Sequence, residues 1–176
     1  RSLEGQFLFM ARRYEESLDR LDALVAGDPE FATGHLMRMY PLLSLGRYGE
    51  AVRADDRAMA LRRELGESQQ FYSWGAGLRG FALARSGRTA EAGQILDQFR
   101  AHASRQYVSA YAEALVLHGL RHDTAALEKL QKAVTDRDHR VTFLGVDPKW
   151  DELRNLPAFE DLLARVNLLG ASRGGR

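Results

Sequence analysis

The chain has 176 residues, 45% hydrophobic and 28% charged, with 25 basic against 24 acidic side chains. That length supports one domain with a sizeable core, and a net charge of +1 leaves no basic excess for a dedicated nucleic-acid surface. There is no cysteine, which excludes disulfide and thiol chemistry, and no apolar run reaches the ~18 residues of a membrane span.

Along the chain, nearly every segment has helical period and strand alternation is almost missing. Leu3 to Met10 is already apolar and helix-like behind Arg1, so the chain is expected to begin partway into a structure. No stretch reads as a secretory signal peptide. Turn signals then recur at Gly27-Asp28-Pro29, Leu45-Gly46-Arg47, Ser86-Gly87-Arg88 and Asp147-Pro148. Pro41 falls inside a helical stretch, where it removes one backbone donor and is expected to kink the helix.

The turns expose a repeat. "RRYEESLDRL", "GRYGEAVRAD", "GRTAEAGQIL" and "RHDTAALEKL" align on Ser17, Ala51, Ala92 and Ala126, spaced by 34, 41 and 34 residues. Nine residues upstream, this frame gives Leu8, Leu42, Leu83 and Leu117. Twelve upstream it gives Gly5, Met39, Gly80 and Ala114, and four downstream Leu21, Asp55, Leu96 and Leu130. Seven downstream it gives Leu24, Ala58, Phe99 and Ala133.

This pattern resembles the tetratricopeptide repeat, a 34-residue helix–turn–helix. The resemblance covers residues 1–138, as repeats near 1–31, 32–65, 73–106 and 107–138. It implies an all-α, right-handed α-α superhelix, because a helical pair buries its apolar stripe only by stacking on its neighbours. Two departures stand out. Seven extra residues around "RRELGESQQ" separate the second and third repeats, and Asp55 sits where the family has a large apolar residue.

Gly75, Gly77 and Gly80 in "WGAGLRGF" make a literal G-x-G-x-x-G. A dinucleotide loop needs a buried strand before it and a β-α-β context. The preceding "ESQQFYS" is polar, and the repeat frame instead makes Gly80 the small residue against which the second helix packs. No nucleotide and no other cofactor is expected. Gly75 and Gly77 are left as a flexible helix start or a close approach to a ligand backbone.

His118 and His122, four apart, lack an H-E-x-x-H pattern and further ligands, so a solvated helix end is expected and no metal. Glu15-Glu16 and Asp55-Asp56 read as outer-face ion-pair surface. No G-x-S-x-G elbow, P-loop or cysteine nucleophile is present, so the chain is expected not to be an enzyme.

In the family, the first helix of each pair lines the concave face. Carried over, this gives Phe9 and Met10, then Leu36, Tyr40 and Leu43, then Trp74, Phe81 and Arg85, then Tyr111, Leu115 and His118. The expected role is a groove for a protein or peptide partner, anchored by aromatics. The competing expectation is that several of these residues are core. Chaperone-binding members clamp a carboxylate with Lys and Asn there. Here the Asn-bearing places hold Tyr40, Phe81 and Leu115, which argues against such a clamp.

Residues 139–169 depart from the repeat and read as a C-terminal helical cap. Asp147 is expected to be a cap and Pro148 the first helical residue, and Pro157 is expected to start a last helix with Phe159, Leu162, Leu163 and Val166 on one face. The stretch "VDPKWDELRNLPAF" is similar to the ending of tetratricopeptide regions in bacterial multidomain regulators. There the repeats follow a winged-helix, kinase or cyclase domain, which implies a docking or sensory role in the cytoplasm. Residues 170–176, "GASRGGR", are expected to be a disordered tail. A homodimer and a small-molecule pocket in the groove are the alternative readings.

Overall fold

A computed structural model describes residues 2–66 and 71–167, and every regular element among them is helical. The all-α expectation holds. The expected tail at 170–176 and most of the seven-residue insertion lie outside the described residues. The chain forms two compact units, residues 1–71 and 72–176.

The first unit contains α1 (Ser2–Met10), α2 (Tyr14–Gly27), α3 (Ala32–Ser44) and α4 (Tyr48–Glu64). α1 and α2 approach closely because Gly5 has no side chain: a Cβ there would stand 2.9 Å from Leu21. Ser17, buried on α2, donates its hydroxyl to the Gly5 carbonyl at 2.7 Å. Leu18, Leu21, Met39, Leu42, Val52, Ala58 and Leu61 make the core. α3 continues through the buried Pro41 to Ser44. Asp55 is buried in α4 at 5% exposure, which corrects the outer-face expectation for it, while Asp56 is exposed as expected.

The second unit contains α5 (Ser73–Arg85), α6 (Thr89–Ala103), α7 (Ala110–Gly119) and α8 (Asp123–Thr135). Two 3₁₀ turns, His139–Phe143 and Pro148–Leu153, and α9 (Pro157–Arg165) complete it. The glycines of α5 now have a physical reason. A Cβ on Gly77 would lie 2.8 Å from the Ala112 Cβ, and one on Gly80 would lie 2.6 Å from a Val116 methyl. They let α5 and α7 pack backbone to backbone. Gly80 faces the next first helix more closely than its own second helix, where Ile95 is 3.3 Å away. That corrects the packing partner expected for it. A Cβ on Gly75 would meet only the Tyr72 ring, at 3.3 Å.

One turn recurs in both units. Arg12, Gly46, Gly87 and Arg121 all take positive φ, at 58°, 70°, 84° and 65°. In each turn the residue after them donates its N–H to the repeat leucine: Arg13 to Leu8, Arg47 to Leu42, Arg88 to Leu83 and His122 to Leu117, all at 2.9 Å. This is the Schellman closure of a helix C-terminus, and it explains why the frame places leucine and the turn at fixed separation. Arg13, Arg47 and Arg88 then pair with the carboxylates of Glu16, Glu50 and Glu91, three residues on in each case. These pairs are solvent-exposed and contribute little.

Candidate functional site

The expected groove residues fall on two helix faces, one in each unit. In the first unit, Phe9 (α1), Leu36 and Tyr40 (α3) are partly exposed, and Leu43 is buried. Phe9 contacts the Tyr40 ring edge-on at 5.6 Å and the Tyr14 ring at 5.7 Å. Met10, the chain neighbour of Phe9, is 65% exposed, and Leu3 and Phe7 on the same helix are exposed to a similar degree.

In the second unit, the expectation of an open aromatic groove fails. Trp74, Phe81, Tyr111, Leu115 and His118 are all buried, and the Arg85 side chain is 7% exposed. The chain's own C-terminal segment covers them. Trp150, fully buried, meets the Tyr111 ring at 5.4 Å and the His118 ring at 5.5 Å. Its indole N–H donates to the Tyr111 hydroxyl at 2.6 Å, and that hydroxyl donates to Asp147 at 3.2 Å. Burial, with the nearby Asp147 charge, pushes the Tyr111 phenol well above its ordinary 10.0. Arg140 stacks over Trp74, 3.8 Å from the ring centroid, a strong cation–π geometry.

A polar cluster closes the other end of this face. Arg85 grips Glu152 with both terminal nitrogens, at 3.4 and 2.5 Å, and Arg121 adds a bond of 2.6 Å. Arg85 also reaches the His118 Nε2 at 3.1 Å, while the His118 Nδ1 stands 2.7 Å from Asp123. Arginine has only donors, so Nε2 must accept and Nδ1–H donates to Asp123. The ring is therefore neutral. Burial pushes its pKa below the ordinary 6.5, against the pull of Asp123. Burial raises the Glu152 carboxyl, but the Arg85 bond and the Arg85 and Arg121 charges outweigh it and hold it below 4.5.

His118 and His122 do not converge. His118 is core, and His122 occupies the cap position ahead of α8. The arrangement at His118 satisfies a buried ring and leaves neither nitrogen aimed at an open site.

The covering segment holds its own shape. Asp138 accepts from the Arg140 N–H at 3.0 Å, from the Ser109 hydroxyl at 2.5 Å and from Tyr107 at 3.0 Å. Burial raises the Asp138 carboxyl, yet these bonds hold it below 3.8. As expected, Asp147 caps the second 3₁₀ turn, accepting from the Lys149 N–H at 3.0 Å, and Pro148 opens it. Asp147 also pairs with the buried Lys149 ammonium at 2.7 Å. Arg154 ties back to the carbonyls of Gly145 and Asp147 at 2.5 and 3.1 Å. α9 packs on α8 and buries Phe159, Leu162 and Leu163. So the segment does more than close the last repeat: it lies across the first-helix face as well.

Sequence reasoning missed Trp150, Glu152, Arg140 and Arg121 as partners of the face. Two signals pointed to them. α7, "AYAEALVLHG", has no polar face, and a helix apolar on all sides must be covered on all sides. Arg85 and His118 within an otherwise apolar face also call for a carboxylate partner on burial.

No protein-family model matches this chain, and no curated protein and no solved structure matches it. What fold and site define by themselves is an all-helical, repeat-like protein in which one helix face is sealed by its own chain. No described helix is long and apolar enough to cross a membrane.

Proposed function

We propose that this chain is a non-catalytic, tetratricopeptide-like solenoid that binds a protein or peptide segment. In this reading it serves as the docking or sensory part of a larger bacterial regulatory protein in the cytoplasm. The observation that carries the reading is the partly exposed aromatic face of the first unit. There Phe9, Leu36 and Tyr40 are partly exposed, and Met10, the chain neighbour of Phe9, is exposed. Aromatic and large apolar residues gathered on one surface suit an apolar segment of a partner. The non-catalytic part rests on His118, a histidine within reach of both a carboxylate and a guanidinium. It is fully buried under Trp150.

The test is recovery of a partner from the native host and its titration against the purified chain. Phe9→Ala and Tyr40→Ala should each weaken binding about 30-fold, the equivalent of ~2 kcal/mol at an anchor. Arg63→Ala, on the exposed side of α4, should leave it unchanged. Binding that survives both groove changes and is lost in Arg63→Ala defeats this reading.

A second reading, self-association, is favoured by the exposed Leu3, Phe7 and Met10, which recur at helical spacing along α1. Sedimentation of the wild type and of Phe7→Glu separates the two. A dimer that Phe7→Glu dissolves supports self-association.

A further inference from the structure

We propose that residues 144–154 form an acid-released strap, fastened to the α5–α7 face through Glu152 and freed from it as the pH falls through the weakly acid range. The strap is anchored at both ends, because the first 3₁₀ turn and α9 each pack on α8. Its flanking elements are therefore held to α8 independently of it. The proposal goes beyond the peptide-binding reading and requires no partner.

Beside the buried Trp150, which packs on Tyr111 and His118, the solvent-reachable part of the fastening is one carboxylate. Three guanidinium nitrogens from Arg85 and Arg121 converge on Glu152 within 2.5–3.4 Å. The Glu152 side chain is 51% exposed, so solvent protons reach it while strap and face are still joined. His118 lies behind it, 3.6 Å from the same carboxylate.

The groups that face His118 are Arg85 from α5, Asp123 from α8, Glu152 from the strap and, through Glu152, Arg121 from the α7–α8 turn. Phe81 and Trp150 enclose the ring without charge. A proton on Nε2 removes the acceptor that Arg85 uses and sets an imidazolium against a guanidinium in a buried space. The two carboxylates offset part of that repulsion but not the loss of hydration. Lifting the strap restores water to the ring, so protonation favours the lifted state. Burial holds the His118 ring below its ordinary 6.5 while the strap is down, as this coupling requires. The repeat frame puts Leu43 and Ser44 of the first unit at the positions of His118 and Gly119, and Met10 at that of Arg85. At these positions the first unit has neither the histidine nor the arginine.

Hydrogen exchange of the full chain between pH 7.5 and 5.5, corrected for intrinsic rates, tests the strap. Protection at 144–154 should fall by up to about tenfold per pH unit below the ordinary histidine value. α8, α9 and the first-unit helices should keep theirs. His118→Gln should flatten the dependence. Glu152→Gln, at a half-exposed position that folding tolerates, should lower strap protection about fivefold at pH 7.5. Three outcomes overturn the proposal: strap protection that does not change with pH in the wild type, strap protection that falls only together with that of α5–α8, or a Glu152→Gln strap as protected as the wild type.

Discussion

Helices α1 and α7 pose the same problem and meet different ends. Neither has a polar face, and each is the first helix of a pair. α7 is covered on every side: by α5 at Gly77 and Gly80, by α8, and by Trp150 of the C-terminal segment. α1 is covered by α2 at Gly5 but keeps Leu3, Phe7 and Met10 more than 60% exposed. The difference shows that an apolar helix face states only that it should be covered. What covers it is decided by separate chemistry, here one tryptophan, one glutamate and two arginines.

The largest expected effect follows from removing the cover. Deleting residues 141–176 takes away Trp150, Leu153 and Phe159, all within 1% of full burial. The second unit should then lose protection from hydrogen exchange and bind a hydrophobic dye, while α2 and α3 keep their protection. An unchanged melting temperature with no dye binding would remove the basis of the comparison.

Single side chains give a graded version. Trp150→Ala should cost about 3–5 kcal/mol, the range for a large buried side chain that leaves a cavity. Phe9→Ala in the first unit should cost clearly less, since Phe9 is already partly exposed. Chemical denaturation of both variants measures the gap. Equal costs would mean that the first-unit face is as well packed as the second. Within α5, Gly80→Leu should destabilise by about 1–3 kcal/mol through overpacking against Val116. Gly75→Leu should do so much less, since only the Tyr72 ring lies close. If Gly75→Leu proves the worse of the two, the close crossing of α5 and α7 is misassigned.

Titration sharpens the contrast by sign. His118 is held low by burial, so its contribution is complete above 6.5 and is lost as the pH falls from there toward its depressed folded value. Glu152 and Asp138 are held below 4.5 and 3.8, and their contributions go as the pH falls through their folded values. Tyr107 and Tyr111 are raised above 10.0, chiefly by burial, so stability also declines as the pH rises past that value. All five groups belong to the second unit. Glu16 and Glu50 in the first unit are also lowered, by Arg13 and Arg47, but at exposed sites where solvent screens the effect. Below the range in which the strap lifts, from pH 5.5 down to pH 4, exchange protection should therefore fall in α5–α8 before it falls in α2 and α3. The reverse order would contradict this assignment.

Much of the local structure was legible. The leucine frame marked the helix ends because Leu8, Leu42, Leu83 and Leu117 supply the carbonyls that close each turn. Asp147-Pro148 read as a cap and a first residue because both effects are local. The site was legible only as a set of residue types. Tyr111 and His118 have the chemistry of a binding face, and no local rule says that a tryptophan 39 residues after Tyr111 will occupy it. Gly80 was given its proper reason, close packing, but the wrong first neighbour. A frame of equivalent positions describes one pair at a time and does not fix which residue of the next pair comes nearest.

The smallest effect is a control in which the units should agree. Gly46 in the first unit and Gly87 in the second hold the same turn position, with φ of 70° and 84°. A Cβ at either would meet nothing within 4 Å, so an alanine there is penalised by backbone conformation alone. The left-handed region costs an L-residue roughly 1–2 kcal/mol, and alanine also narrows the unfolded ensemble, which returns some 0.4–1 kcal/mol where the native φ is compatible but little where it is strained. Gly46→Ala and Gly87→Ala should each destabilise by about 1 kcal/mol, measured by urea unfolding at neutral pH. Arg12 and Arg121 already sit in that region, so Arg12→Gly should relieve strain. Arg121→Gly should gain less, because it also removes a bond to Glu152. If the two alanine variants differ by more than about 0.5 kcal/mol, the turns are not equivalent and the two units differ in more than how their faces are covered.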